Sequence, residues 1–378
     1  MSPRHLPRSP GGAGAVTRAR RALAAAILTL FAVGLQAGVG ETGEELSLAA
    51  APPLVGFSYV SAGQAPDEAR GGLRALLTGL DPDVVRLPVY WSAVQPDVSR
   101  FDFTTVDALL QEVGDHNAGG VRGRRVQVIL VVGVRNLAFP EVWVPDWLDV
   151  ATSGNLSDLV RSAAYLAYLR AVVRRYAHRH LLLAWQVENE PFDDVTAARG
   201  DVSLTSAALV AESREVRRLD ARHPIVVTTY DSSTVALDRA AVGPWAWLHR
   251  LLPGPRPTGH PSLALDAGDV LGLDAYVVTP STPLEEAPAL QRVDWKTGAL
   301  AYWARRSGER DKDMWITEMQ AAPWDGVEGF TPSALLHSAR LYSQVGAAVV
   351  LLWDVQRWLI DPEWMATGQV AIRLLRGG

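Results

Sequence analysis

Two glutamates, Glu190 and Glu318, occupy positions in the sequence where chemistry is possible, because each follows apolar residues typical of a buried strand. The first lies in the run Trp185–Pro191 (WQVENEP) and the second in the run Trp315–Gln320 (WITEMQ). A carboxyl in such a place is costly unless it is hydrogen-bonded or used. A single buried carboxylate of this kind commonly has a structural role, in which it holds a loop in place through a salt bridge to an arginine. A pair of them, with polar partners nearby, favours a functional site.

The elements that must position these residues follow from the apolar pattern. Eight runs are mostly apolar throughout rather than alternating, as in parallel strands buried on both faces. The predicted strands are Leu54–Val60, Val84–Pro88, Val126–Gly133, Leu182–Glu190, Ile225–Thr229, Val270–Val278, Met314–Gln320 and Ala347–Trp353. The predicted helices are Pro66–Leu80, Phe103–Val113, Leu156–Arg179, Ser203–Asp220, Leu284–Arg306, Pro332–Ser343 and Pro362–Leu375.

The regular succession of strands and helices along the chain predicts an α/β fold. It favours a single-domain (β/α)8 TIM barrel over residues 54–378. An open, doubly wound sheet is the alternative. Such a sheet usually carries a glycine-rich phosphate-binding turn after its first strand, and the turn after Val60 reads SAGQAPDEA instead. The barrel is therefore favoured.

In a barrel, the carboxyl ends of the strands build the active site. Besides the two glutamates, the ends of the predicted strands and the loops that follow them carry these candidate residues: Arg86, Trp91, Asn189, Asp274, Tyr276, Trp324 and Trp353. No metal or other cofactor is expected, since the histidines form no ligand pair such as H-E-x-x-H. Serine nucleophiles lack support too, because no G-x-S-x-G or S-x-x-K motif is present.

The N-terminal region has the pattern of a targeting sequence rather than of a folded domain. Arg18, Arg20 and Arg21 precede the uncharged, apolar stretch Ala22–Gly40. Residues 1–40 are therefore predicted to be a secretory signal peptide or, if uncleaved, a membrane anchor. Residues 41–53 read as a linker. In either case the barrel is expected outside the cytoplasm, secreted or held at the membrane.

Composition excludes several classes of protein. With 48% hydrophobic and 20% charged residues the chain is globular rather than disordered. It has no cysteine, which excludes disulfide scaffolds, cysteine–zinc sites, iron–sulfur clusters and thiol nucleophiles. The net charge is −5 although the N-terminal segment is basic, so the body is acidic and poorly suited to nucleic acid. No obligate protein partner is implied.

The runs WQVENEP and WITEMQ, together with VVRLPVYW (Val84–Trp91), resemble the retaining β-glycosidases of clan A. The nearest type is the cellulase-like glycoside hydrolase family 5, with families 39 and 42 as near relatives. The resemblance spans Leu54–Trp364 in order and with compatible spacing. It implies a retaining hydrolase that cleaves β-linked oligo- or polysaccharides without a cofactor.

The resemblance also implies a role for individual residues. Glu190 would be the acid/base and Glu318 the nucleophile, with the two carboxyls ~5–5.5 Å apart as retention requires. The other roles are binding of the sugar 2-hydroxyl by Asn189, ionisation of Glu318 by Arg86, a hydrogen bond from Tyr276 to Glu318, and a sugar platform at Trp353. Trp91 and Trp324 are further candidates for substrate contact.

The chain departs from the family pattern at two positions. Gln186 stands where these enzymes often have a glutamate, and Asp274 stands where they often have a histidine. Both positions shape substrate contacts, so the sugar is less certain than the reaction. Glu188 is the rival of Glu190 for the acid role, because an ideal strand points both residues the same way.

Two other functional classes are considered. A barrel that binds carbohydrate at the cell surface without cleaving it is the main alternative, although the intact Glu190 and Glu318 pair argues against it. A metal-dependent barrel enzyme is disfavoured, because few His and Asp ligands stand at the strand ends.

Overall fold

The computed structural model describes residues 51–119, 125–138, 141–148, 155–192, 204–230, 234–242, 259–279 and 288–378. The predicted leader at 1–40 and most of the predicted linker at 41–53 lie outside these residues. Among the helices that are described, none is long and apolar enough to cross a membrane.

Eight parallel strands, paired in chain order, form a closed barrel in which the last strand pairs with the first. They are β1 Leu54–Ser58, β2 Val84–Pro88, β3 Gln127–Val132, β4 Leu182–Val187, β5 Ile225–Thr229, β6 Val270–Ala275, β7 Asp313–Gln320 and β8 Val349–Trp353. The predicted (β/α)8 barrel is therefore confirmed. Several strands are shorter than predicted, and β4 ends three residues before Glu190.

Helices connect the strands. They are α1 Pro66–Leu80, α2 Trp91–Val94, α3 Thr104–Gly119, α4 Leu156–Leu159, α5 Ala163–Tyr176, α6 Ser206–Leu219, α7 Val235–Val242, α8 Pro261–Ala267, α9 Ala289–Gly308, α10 Pro332–Tyr342 and α11 Pro362–Leu375, with a 3-10 helix at Val355–Ile360. The predicted bounds of α1 and α11 are confirmed.

Two sequence expectations about helices are wrong. The single helix predicted at Leu156–Arg179 is two helices, because Ser162 starts a new one by accepting a hydrogen bond from the Tyr165 backbone N–H. Helices α7 and α8, between β5 and β6, were not predicted. The start of α8 carries a recognisable signal, since Pro261 occupies its first turn and the His260 side chain caps it.

The inside of the barrel has an apolar layer below a polar one. Arg86 on β2 bonds to side chains of β4 and β7, so its face of the strand points into the barrel. Val84, two residues earlier on β2, shares this face and packs with Ala184 and Trp315 in a small buried cluster. The polar side chains therefore lie toward the carboxyl ends of the strands, above a packed floor.

Candidate active site

Glu318 lies on β7 and is 3% exposed, with both carboxylate oxygens hydrogen-bonded. Arg86 Nη2 donates to Oε1 at 2.6 Å, and the Tyr276 hydroxyl donates to Oε2 at 2.5 Å. Arg86 is itself fully buried, so the ion pair is scarcely screened by solvent. Two donors therefore fix the orientation of the Glu318 carboxyl.

Arg86 is held in place by partners from two further strands. Its Nη1 donates to Oε1 of Gln186 at 3.1 Å, and its guanidinium lies 5.5 Å from the ring centroid of Trp353. The amide nitrogen of Gln186 donates in turn to Oδ1 of Asn189 at 3.0 Å. Gln186, one of the departures from the family pattern, thus links Arg86 to Asn189 through its two amide ends.

Glu190 is half-buried and lies in a turn rather than on a strand. Its φ is +43°, and that of Glu188 is +62°, so the backbone leaves strand geometry after Val187. Non-glycine residues adopt such a conformation only when their surroundings hold it. One such restraint is Thr228 on β5, whose Oγ1 accepts the Glu190 backbone N–H at 2.9 Å.

Asp274 on β6 brings a third carboxyl into the site, and it is fully buried. Its Oδ1 accepts a hydrogen bond from the Thr317 hydroxyl at 3.1 Å, and its carboxyl lies within hydrogen-bonding reach of the Glu190 side chain. Burial, followed by the negative charge of Glu318, raises the pKa of Asp274 to about 8. Three carboxyls therefore form one electrostatic cluster around Tyr276.

The side chains of Thr228 and Thr317, which bond to residues of this cluster, both pack against Gly272. A Cβ placed on Gly272 of β6 would lie 2.7 Å from Cγ2 of Thr228 and 2.9 Å from Cγ2 of Thr317. These distances are too short for any real side chain. The close approach of both threonines therefore depends on the glycine.

Glu188 has a different role from the one that strand alternation suggested. It is fully buried, and its two oxygens accept the backbone N–H groups of Val134 at 2.9 Å and Arg135 at 2.5 Å. Its carboxyl also lies against Gly133, where a Cβ would approach within 2.5 Å. Burial raises the pKa of Glu188 to about 7. The proposal that it rivals Glu190 is corrected, since its oxygens are committed to the turn after β3.

Trp91 lies apart from the site. It begins α2, is fully buried, and stacks on Tyr168 with edge contacts to Tyr165 and Trp147. Its indole N–H donates to Gln95. The prediction that Trp91 contacts substrate is wrong, because its ring is completely covered by neighbouring side chains.

The remaining predicted aromatic residues stay at the mouth of the barrel. Trp353 ends β8 beside Arg86 and is partly exposed. Trp324 is 36% exposed, and its ring centroid lies 5.4 Å from that of Tyr276. Both rings are therefore available for stacking on a flat ligand.

The structure thus brings seven of the eight predicted site residues into one connected group. They are Arg86, Asn189, Glu190, Tyr276, Glu318, Trp324 and Trp353. The link between Asp274 and Glu190 was not foreseen, although Asp274 lies only two residues before Tyr276 at the end of β6. Within the described ranges, no group of three or more His, Asp and Glu side chains is arranged to hold a metal ion.

No protein-family model and no curated protein sequence matches the chain. Similar solved structures include the GH5_18 protein of Streptomyces cattleya bound to GlcNAc, with 18% identity over 87% of this chain and 81% of that one, and a TM-score of 0.58. The exo-β-1,4-mannosidase of Opitutaceae bacterium strain TAV5 has 16% identity, coverages of 86% and 59%, and a TM-score of 0.57. Endo-glycoceramidase II from Rhodococcus sp. has 19% identity, coverages of 80% and 73%, and a TM-score of 0.50. The chain therefore shares the barrel fold of these solved proteins.

Proposed function

We propose that the chain is a retaining β-glycoside hydrolase acting on β-linked oligo- or polysaccharides. The observation that carries this proposal is the environment of the Glu318 carboxyl. It is a buried carboxylate bonded to Arg86 and to the Tyr276 hydroxyl, and it shares one electrostatic cluster with a second glutamate, Glu190. Retaining hydrolysis requires such a pair, one carboxyl ionised and the other able to carry a proton.

In the first step, an oxygen of Glu318 attacks the anomeric carbon while the bond to the glycosidic oxygen breaks. Glu190 donates its proton to the departing oxygen, so that the aglycone leaves as an alcohol. Arg86 and Tyr276 hold Glu318 as an ionised, oriented nucleophile. The product of this step is a glycosyl ester on Glu318.

In the second step, Glu190 acts as a base and takes a proton from water. The water oxygen attacks the anomeric carbon and displaces Glu318 as a carboxylate, so the configuration of the sugar is retained. Asn189, held by Gln186, is placed to bind a sugar hydroxyl, and Trp353 is placed to stack on the ring. Neither step needs a metal or an organic cofactor.

The substrate panel follows from the fold neighbours. The GH5_18 protein of Streptomyces cattleya has been solved with GlcNAc and with Manβ1-4GlcNAc, and another neighbour is an exo-β-1,4-mannosidase. Aryl β-mannosides and β-1,4-mannosides are therefore tested first, followed by β-glucosides and β-glucans. We expect release of reducing ends from at least one member of this β-linked panel.

Azide rescue tests the two glutamate roles. Glu318→Gly should lower kcat/KM by at least ~10⁴-fold on every substrate, because no other group forms the glycosyl ester. Glu190→Ala should keep its first step with a dinitrophenyl glycoside, which needs no proton, and should accumulate the ester. Azide should restore its turnover and yield a β-glycosyl azide. The Glu318 variant can give only the α-azide, by direct displacement.

Two outcomes would contradict this assignment. An opposite pattern of azide products would exchange the roles of Glu190 and Glu318. Binding of β-linked oligosaccharides without turnover of any substrate in the wild-type protein would favour the alternative, a non-catalytic carbohydrate-binding barrel. Glu212→Gln is a suitable control, since this buried carboxyl on α6 lies outside the site and should leave turnover unchanged.

A further inference from the structure

Asp274 is a buried acid that the two-glutamate mechanism does not use. Its side chain has no exposed surface, and the Thr317 hydroxyl donates a hydrogen bond to its Oδ1 at 3.1 Å. Oδ2 receives no N–H or O–H from the residues that the structure describes. A buried carboxylate oxygen without a donor is costly, so the second oxygen needs a proton of its own or one shared with a neighbour.

The neighbour that can share a proton is Glu190. The Glu190 side chain lies within hydrogen-bonding reach of the Asp274 carboxyl, and two ionised carboxylates could not bond there, because both only accept. One proton between them satisfies both carboxyls and removes one of two adjacent negative charges. Paired carboxyls in other active sites behave in this way.

The charges around Asp274 make full ionisation of the pair still less favourable. Glu318 on β7 adds a third acid, whereas Arg86 on β2 is the cation that acts on Asp274. Tyr276, which directly follows β6, is held neutral because burial and the neighbouring acids raise its pKa. On β5, Thr228 contributes a hydroxyl and no charge.

We propose that Asp274 and Glu190 hold one proton in common, and that Asp274 is a positioning residue that sets when Glu190 acts as an acid and when as a base. The role of Asp274 in turnover rests on the proposed function. The shared proton itself does not, since it is a property of the resting protein.

The pair changes its charge during the reaction. In the first step the shared proton passes to the departing glycosidic oxygen, and the pair becomes doubly ionised. Repulsion between the two carboxylates then raises the proton affinity of Glu190, which makes it a stronger base toward water. In the second step water returns a proton to the pair as its oxygen displaces Glu318, and the resting state is restored.

A carboxyl titration tests the shared proton without requiring turnover. Protein labelled with ¹³C at the side-chain carboxyl of aspartate is titrated by NMR, and the Asp274 signal is assigned by its loss in Asp274→Asn. In the wild type we expect Asp274 to titrate in two steps, as coupled acids do. In Glu190→Ala it should titrate in one step at an intermediate pH. A single step at the same midpoint in both proteins would overturn the proposal.

The pH dependence of kcat/KM tests the positioning role. For a substrate with a poor leaving group, Asp274→Asn should move the basic limb down by about one pH unit or more, since it removes the charge that helps Glu190 keep its proton. Below that limb kcat/KM should stay within a few-fold of wild type, and the loss should grow to tenfold or more above it. An equal loss at every pH with unchanged limbs would show a merely structural role and overturn the assignment.

A matched control and a second substrate sharpen the result. Glu212→Gln is the same carboxyl-to-amide change at a buried acid on α6, and it should leave both limbs in place. With a dinitrophenyl glycoside, whose departure needs no acid, the basic limb of kcat/KM should disappear in wild type and variant alike. If no glycoside is cleaved even by the wild type, the proposed function fails while the NMR titration still decides the shared proton.

Discussion

The molecule contains two clusters in which arginine meets a buried carboxylate, and they differ in charge balance. On the outer surface, Glu112 of α3 is 3% exposed and bonds to Arg70 and Arg74 of α1. Asp115 pairs with Arg70 as well, so this cluster has two cations and two anions. Inside the barrel, Glu318 is equally buried and bonds to Arg86.

The barrel cluster is short of positive charge. Among the described residues around it, Arg86 is the cation that faces three carboxyls, Glu190, Asp274 and Glu318. In the outer cluster the arginines lower the pKa of Glu112, because they stabilise its ionised form. In the barrel cluster burial and a neighbouring acid raise the pKa of Asp274. The balanced cluster joins two helices and favours the ionised form of its buried acid, whereas the barrel cluster favours the protonated form of Asp274.

Of the substitutions that compare the two clusters, removal of Arg86 should have the largest effect. Arg86→Met should lower kcat/KM by about 10²–10⁴-fold, because Glu318 loses the charge that holds it ionised and oriented. The acidic limb of the pH–rate profile should move to higher pH. Steady-state kinetics across pH 4–9 would measure both, with thermal unfolding as the check on folding.

Arg74→Met makes the same substitution in the balanced cluster and should leave kinetics unchanged, since Arg70 still bonds to Glu112. An unmoved acidic limb in Arg86→Met would mean that another group ionises the nucleophile. The different charge balance of the two clusters would then not explain why one of them is catalytic.

Tyr276→Phe should have an intermediate effect. It removes one charge-assisted hydrogen bond to Glu318 and keeps the ring that packs against Trp324. Such bonds contribute ~1.5–3 kcal/mol, which corresponds to a loss of about 10- to 100-fold in kcat/KM. Wild-type kinetics in this variant would show that Arg86 alone orients the nucleophile.

Glu112→Gln should have the smallest effect, and only on stability. We expect a loss of about 1 kcal/mol in the free energy of unfolding at pH 7, since its arginine partners are partly exposed. The pKa of Glu112 is lowered in the folded protein, so its contribution is present above the ordinary glutamate pKa and is lost as the pH falls. Urea unfolding at pH 7 and pH 3 would measure this. A difference from wild type that grew toward acid pH would contradict the interpretation.

The strand pattern was readable from sequence because parallel barrel strands are buried on both faces. Val84–Pro88 and Ile225–Thr229 appear with the predicted bounds. The end of β4 was placed too late, because Glu188 and Glu190 directly follow the strand in sequence but take up left-handed backbone conformations. Only their tertiary partners, Thr228 among them, reveal that turn.

The site was readable where a residue type and a strand end coincide, as at Arg86, Tyr276 and Glu318. Trp91 satisfied the same rule and is nevertheless buried, since the short helix α2 turns it toward the α5 tyrosines. Sequence shows that a residue follows a strand but not which way its loop folds. For Asp274 a signal did exist, because its two-residue spacing from Tyr276 put both on one face of the predicted strand Val270–Val278.

Gly272 is the shared packing position below two polar residues at the mouth of the barrel. The Thr228 and Thr317 side chains converge on it, and each supports a different acid, Thr228 through the Glu190 backbone and Thr317 through Asp274. A single methyl group added at this position would press on both supports at once. The turn that carries Glu190 and the buried Asp274 therefore share one packing constraint, so that a substitution at Gly272 would disturb both of them together.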